Sequence, residues 1–302
     1  VHYDCLYGRL ADNISRKVFT NLMQFRLIPD LQFVEEVYDG LNHQYFDPAI
    51  VSCDENEVFV DCGGFTGDTT EDFIRQYGNY KKIYVYEPSG DNIEPCWKNL
   101  VKYRDIIVKK CGVGEKNGRM AMDASRSSSS FVNAAPGQEA VGIISLDEDI
   151  REKVTFIKMD IEGFEIPAII GAKEHIKNDS PKLAVCTYHI ISDMWEIPRL
   201  IDAINPEYRF YIRHYCRTQN WETVLYAVPP GRKKGNGKTG GRKSRPKRVV
   251  AMPSHEQGWT NVELVKDCGL IPYILYKNHG CDVSMVGPYS GPYPYYEKYV
   301  KG

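Results

Sequence analysis

The sequence predicts an α/β fold: a Rossmann-like doubly wound sheet, mostly parallel with an antiparallel edge strand, and an N-terminal helical cap. Three observations predict it. From Glu57 onward, short apolar and β-branched runs alternate with amphipathic stretches, and that alternation implies parallel βαβ units. The first run leads directly into a glycine turn at Gly63, Gly64 and Gly67, the place where such folds meet a ligand. Two late apolar runs have no convincing helix between them, as expected of an antiparallel edge.

Taken in order, residues 1–50 form the cap. Ala11–Phe25 and Leu31–Tyr38 carry apolar residues near helical spacing, and Asn42–Ile50 leads into the first strand. The main domain spans 51–228. Its buried strands are Glu57–Asp61, Lys82–Glu87, Ile106–Cys111, Thr155–Asp160 and Leu183–His189. Its helices are Thr69–Tyr77, Asp91–Tyr103, Glu165–Ile176 and Met194–Ile204, with Asp68 or Thr69 as N-cap of the first. Tyr208–His214 and Glu222–Val228 make the edge pair. Residues 118–146, with a serine patch at Ser127–Ser130, interrupt the alternation and are expected to form a hairpin or a lid.

After Val228 the composition changes. Residues 229–249 are rich in Gly, Lys, Arg and Pro, which cannot bury a core, and read as a flexible linker. Nine of the chain's 38 basic residues fall between Arg232 and Arg248 with no acid among them, so the formal charge of −2 conceals an acidic remainder. A nucleic-acid-binding protein carries its positive charge on a folded face, which makes that partner unlikely here. Residues 250–302 form a tail too short for a core of its own.

Bulk composition excludes other classes. The chain has 302 residues and no apolar run long enough to span a bilayer. Its nine cysteines are odd in number, scattered, and lack any C-x-x-C pair, so neither a disulfide framework nor a zinc site is expected. They read as small buried hydrophobes in a reducing, cytoplasmic setting.

The glycine loop by itself argues only for a nucleotide-like ligand. Glycine admits positive φ and close backbone approach, and the turn is expected to direct N–H groups and a helix N-terminus toward that ligand. Three details narrow the choice. Asp61 stands where a dinucleotide site places its first glycine, and a carboxylate beside the loop suits the positive sulfonium of S-adenosylmethionine better than a pyrophosphate. Glu87 closes the second strand, where a carboxylate can bind both ribose hydroxyls. Gly112 and Val113 follow the third strand, where the adenine edge would rest on backbone. The expected cofactor set is therefore Asp61, Gly63, Gly64, Gly67, Glu87, Gly112 and Val113, and a nicotinamide-dependent oxidoreductase is disfavoured.

The sequence resembles the FkbM family of methyltransferases. The resemblance rests on Val58–Gly67, Ile83–Pro88, Phe156–Glu165, Ile169–Ala172, Tyr188-His189 and Trp195–Pro198, with Lys158-x-Asp160-x-Glu162-Gly163-x-Glu165 its most distinctive stretch. It implies S-adenosylmethionine as donor and an oxygen acceptor on a sugar or other polar small molecule. Lys266–Tyr273, Tyr276-Lys277 and Tyr293–Tyr295 look like the opening of a glycosyltransferase domain. On that reading the chain is cut from, or joined to, a fused or associated glycosyltransferase, which points the acceptor toward glycans.

Methyl transfer to a hydroxyl needs alignment and removal of one proton. Asp160 and Glu162 follow the fourth strand and His189 ends the fifth, so these three are the catalytic candidates. His189 is the first choice of base, because its ordinary pKa lies near neutrality. The same trio has an alternative use in holding Mg²⁺ or Mn²⁺. On a purely structural reading, Glu162 caps the next helix, and Lys158 and Glu165 are surface charges. A different class, a non-catalytic glycan- or nucleic-acid-binding module that keeps the fold, finds its main support in the basic linker.

Overall fold

A computed structural model describes residues 2–40, 43–122, 131–132, 140–230, 249–251 and 283–285. The chain divides into two compact units, one of residues 1–40, 212–221 and 235–302 and one of residues 41–211 and 222–234.

A seven-stranded sheet contains most of the larger unit's strands, and one of its strands passes into the smaller unit at Ile212. In chain order its strands are β1 (Val58–Cys62), β2 (Lys82–Tyr86), β3 (Ile106–Lys109), β8 (Phe156–Met159), β9 (Lys182–Cys186), β10 (Arg209–His214) and β11 (Thr223–Val228), and across the sheet they run β10-β11-β9-β8-β1-β2-β3. β1 pairs in parallel with β2 and β8, β2 with β3, and β8 with β9, while β11 runs antiparallel to β9. The mostly parallel sheet with its antiparallel edge is the architecture expected. Strand order reverses between β1 and β8, a topological switch point whose carboxyl end is the usual ligand position.

Every residue of β1 is buried, as continuous burial on both faces of a parallel sheet requires. Phe46, Phe59, Phe73 and Phe156 form an aromatic core on one face, with Phe59 stacked on Phe73 at 4.4 Å between centroids.

α4 (Asp68–Tyr77) follows β1, α5 (Gly90–Leu100) follows β2, α7 (Glu165–Ile170) follows β8 and α8 (Asp193–Ile204) follows β9. Two local expectations change. The residue capping α4 is Gly67, left-handed at φ 88° with no side-chain cap bond, rather than Asp68 or Thr69; both of those already lie within the helix. The single helix expected over 165–176 ends at Ile170, and a separate π-type turn occupies His175–Asp179. The chain between 112 and 149 builds a second, four-stranded sheet from β4 (Gly112–Val113), β5 (Gly118–Met122), β6 (Phe131–Val132) and β7 (Ala140–Ile144), followed by α6 (Leu146–Asp149). β5 is antiparallel to both β6 and β7, so the interruption holds antiparallel pairing. Ser127–Ser130 lies outside the described residues.

In the smaller unit, α1 (His2–Arg9), α2 (Asn13–Leu27) and α3 (Leu31–Glu35) account for the helical prefix. Asp12 caps α2 by accepting from the Ser15 amide at 2.7 Å. Ser15 Oγ accepts from the Ile212 amide and from Arg213, which also donates to Asp12 at 2.9 Å. The first segment of this unit runs to Gly40. β12 (Val249–Ala251) and β13 (Val283–Met285) pair in parallel. Most of the linker and of the glycosyltransferase-like tail lies outside the described residues. Among the described residues no helix is long and apolar enough to cross a membrane.

Candidate active site

Within the larger unit a cavity of about 420 Å³ opens at the carboxyl ends of β1, β2 and β8, a size typical of small-molecule sites. Gly63, Glu87, Gly112, Val113, Asp160 and Glu162 line it. Asp61, Gly64, Gly67 and His189 do not.

The glycine loop is bound to its neighbour strand. Gly63 and Gly64 both donate to the Tyr86 carbonyl, Gly67 donates to that of Gly64, and Phe65 donates to Glu87 Oε2 at 2.9 Å. These four N–H groups are spent inside the protein, so the expectation that the loop offers its amides to a ligand gives way to a different role. The loop shapes the wall, and Gly63 brings that wall against β8: at φ 83°, a Cβ there would sit 1.9 Å from the Asp160 carbonyl oxygen. Glu87 also accepts from the Ser89 amide at 2.8 Å. Burial raises its pKa, against the lowering effect of these two amides.

Asp61 is fully buried, contrary to its expected place beside a ligand cation. Its Oδ2 accepts from Thr70 Oγ1 at 2.8 Å, and Lys158 Nζ lies 3.1 Å from Oδ1. The sheet register explains the pair: Asp61 on β1 and Lys158 on β8 are direct neighbours. Lys158 donates to the Gly63 carbonyl at 2.7 Å. Burial opposes its charge, but Asp61 and Asp160 outweigh that and push its pKa up. Lys158 and Glu165 are therefore not surface charges. Their side chains are 2% and 0% exposed.

The three catalytic candidates do come together. His189 Nδ1 bonds Glu165 Oε1 at 2.9 Å, and Nε2 lies 3.3 Å from Asp160 Oδ1 and 3.5 Å from Glu162 Oε2. Burial lowers the pKa of the ring, yet the hydrogen bond and charge of Glu165, followed by the charges of Asp160 and Glu162, raise it to about 9. At neutral pH the ring is an imidazolium, which overturns the reason for choosing His189 as base. Asp160 is partly buried, with 24% of its side chain exposed. Burial raises its pKa, but Lys158, His189 and a 2.6 Å hydrogen bond from Tyr45 prevail and lower it. Glu162 is half-exposed and faces the cavity; burial and the charges of Asp160, Glu165 and Glu222 raise its pKa against His189. Asp160, Glu165 and His189 each place one ligand atom within 4.8 Å of the others, so the trio with metal-binding geometry contains Glu165 where the sequence suggested Glu162.

Three site residues escaped the sequence reading. Tyr45 reaches Asp160 from the segment before β1, and its ring lies 5.2 Å from Lys158 Nζ. Glu222 lines the cavity and accepts from Gln44 and, at 3.5 Å, from Tyr188. Tyr45, Phe65, Glu162 and Glu222 have φ values of 68°, 45°, 58° and 54°. Left-handed non-glycine residues are uncommon, and their gathering around one cavity is a mark of function.

The six described cysteine side chains are free, and burial pushes Cys96 up to about 12 and Cys111 up to about 11.

The methyltransferase FkbM domain matches residues 61–215, just over half of the sequence. The chain belongs to the FkbM methyltransferase family. Among solved structures, the methyltransferase FkbM from Methylobacillus flagellatus KT is similar at 28% identity and a TM-score of 0.67, over 75% of this chain and 58% of that one. The chain thus spans less than two thirds of that relative. An rRNA methylase from Streptococcus thermophilus shares 13% identity (TM-score 0.40, 63% of this chain and 93% of the other). Aeropyrum pernix fibrillarin with natively bound S-adenosyl-L-methionine shares 11% (TM-score 0.39, 58% and 67%). Among curated proteins none matches in sequence.

Proposed function

We propose that the chain is an S-adenosylmethionine-dependent O-methyltransferase acting on a hydroxyl of a sugar or other polar small molecule. One observation carries the proposal: a single cavity joins Gly63, Glu87, Gly112 and Val113 to Asp160 and Glu162, within a domain of the FkbM methyltransferase family. The residues fit the cofactor. Two carboxylates that line this region, Glu87 and Asp68, suit a ligand carrying sulfonium and ammonium charges, whereas a pyrophosphate would meet like charge there. Glu87 accepts from two backbone amides and, at 3.5 Å, from Asn92, which still leaves a lone pair for a hydroxyl donor. When bound, S-adenosylmethionine supplies a methyl carbon activated by its sulfonium.

The chain's own residues then hold the acceptor and take its proton. A base must reach its proton before its pKa matters, and Glu162 faces the cavity where His189 does not. Glu162 is therefore assigned as proton acceptor. Asp160, held by Tyr45 and Tyr188, orients the hydroxyl, and the His189 imidazolium positions both carboxylates. That ring already supplies a cation to the cluster, so no step is assigned to Mg²⁺ or Mn²⁺.

Calorimetry with S-adenosylhomocysteine tests the donor site. Wild type should bind, and Glu87→Ala should bind at least about tenfold more weakly, since a lost charge-assisted hydrogen bond is worth about 1.5–3 kcal/mol. Absence of wild-type binding would sink the proposal. Glu162→Gln should keep that affinity and lose turnover.

A further inference from the structure

We infer that the acceptor pocket selects by charge, taking polyhydroxyl acceptors that are neutral or amine-bearing and rejecting phosphorylated ones. The inference deepens the methyltransferase reading and rests on it.

The wall beyond the donor end is almost wholly anionic. Asp160, Glu162 and Glu222 line it. Lys158 is the one basic residue among the described lining residues, and it cannot serve an anion. Its side chain is 2% exposed, and its ammonium is committed to Asp61 and to the Gly63 carbonyl. The imidazolium of His189 does not line the cavity and is shared among Glu165, Asp160 and Glu162. Two cations thus face four buried or half-buried carboxylates, Asp61, Asp160, Glu162 and Glu165, before Glu222 is counted.

Tyr45, Tyr188 and Gln44 fix Asp160 and Glu222 with donated hydrogen bonds, so the carboxylates present acceptor lone pairs to whatever enters. Hydroxyl and ammonium groups are donors and match them. A phosphate offers only acceptors and a like charge.

The magnitude decides for rejection. One carboxylate about 6 Å from a phosphate dianion disfavours it by roughly tenfold even at the dielectric of water, and by more in a partly buried cavity.

The test uses the full chain loaded with S-adenosylhomocysteine and three probes: glucose, glucosamine and glucose 6-phosphate. Saturation-transfer NMR reads their binding, and methyl transfer from S-adenosylmethionine reads their turnover. Glucose or glucosamine should bind, with glucose 6-phosphate weaker by at least about tenfold. Glu222→Gln should narrow the ratio of neutral to phosphorylated sugar by several-fold, and because a ratio is read, any general loss of binding cancels. Binding of glucose 6-phosphate within threefold of the better partner overturns the inference. So does failure of all three probes to bind. If the cofactor product binds while the probes do not discriminate, charge selection fails and the donor-site reading stands. Failure of the cofactor product to bind removes both.

Discussion

Two carboxylates were both expected to meet the donor, Asp61 through its charge and Glu87 through the ribose hydroxyls, and their surroundings separate them. Asp61 is buried against Lys158 and Thr70, whereas Glu87 lines the cavity and ties down the loop through Phe65. Removing one partner of a buried ion pair costs about 3–5 kcal/mol, because the other charge is left stranded. Asp61→Asn should therefore lower the urea midpoint sharply, and any loss of cofactor affinity should follow from lost folding. Replacing both partners, as in Asp61→Leu with Lys158→Met, should recover much of the stability. A folded Asp61→Asn protein of wild-type stability that failed to bind S-adenosylhomocysteine would return Asp61 to the donor site. The sequence marked both acids for the donor but could not show that Asp61 is buried, since that depends on which residue of β8 stands beside β1. That register places Lys158 opposite Asp61, and no local pattern around either residue carries it.

At the scale of elements, legibility follows chain proximity. β1, β2, β8 and β9 were readable because buried parallel strands are rich in apolar and β-branched residues, here broken mainly by Asp61 and three lysines, and the glycine loop was readable because it adjoins one of them. Gln44, Tyr45 and Glu222 enter the cavity from irregular segments with no periodicity to mark them. The loop itself makes a sharp prediction. Gly63 and Gly78 have similar φ values, 83° and 75°, but a Cβ at Gly63 meets the Asp160 carbonyl at 1.9 Å, and one at Gly78 meets nothing within 4 Å. Gly78→Ala should cost the backbone strain of its positive φ (ψ −92°) with no steric clash added. Gly63→Ala carries the strain of its own positive φ and must also relieve a 1.9 Å clash with the Asp160 carbonyl, so its loss should be the larger by about 2 kcal/mol or more. Urea unfolding of the two variants measures the difference. Equal losses would mean that the loop does not hold β8 where the structure places it.

The two units carry titrating histidines of opposite sense, and this makes the response of the whole molecule to pH diagnostic. His214, in the smaller unit, is buried and its pKa is lowered to about 4 by desolvation. Between about pH 4 and its ordinary value near 6.5 the unfolded chain binds that proton and the folded chain does not, so stability falls as pH falls through this window. His189, in the larger unit, has the reverse relation: its pKa is raised to about 9. Its contribution is complete below about pH 6.5 and is lost as pH rises to 9. Asp193 lies in the same unit and acts in the same direction at lower pH. Burial and Glu165 raise it to about 7, so the folded state holds a proton that the unfolded state releases near 4, and stability is lost as pH rises from there to 7. The smaller unit should therefore weaken on the acid side and the larger on the alkaline side. Hydrogen-exchange mass spectrometry resolves the units within one experiment. Protection of 13–40 should drop between pH 6.5 and 4.5, and protection of β1 and β8 should drop between pH 7 and 9, after correction for intrinsic exchange. His189→Gln should flatten the second change without altering the first. If protection in both units moved together at both ends of the range, one cooperative unfolding step would govern the chain, and the opposed histidines would have no separate reach.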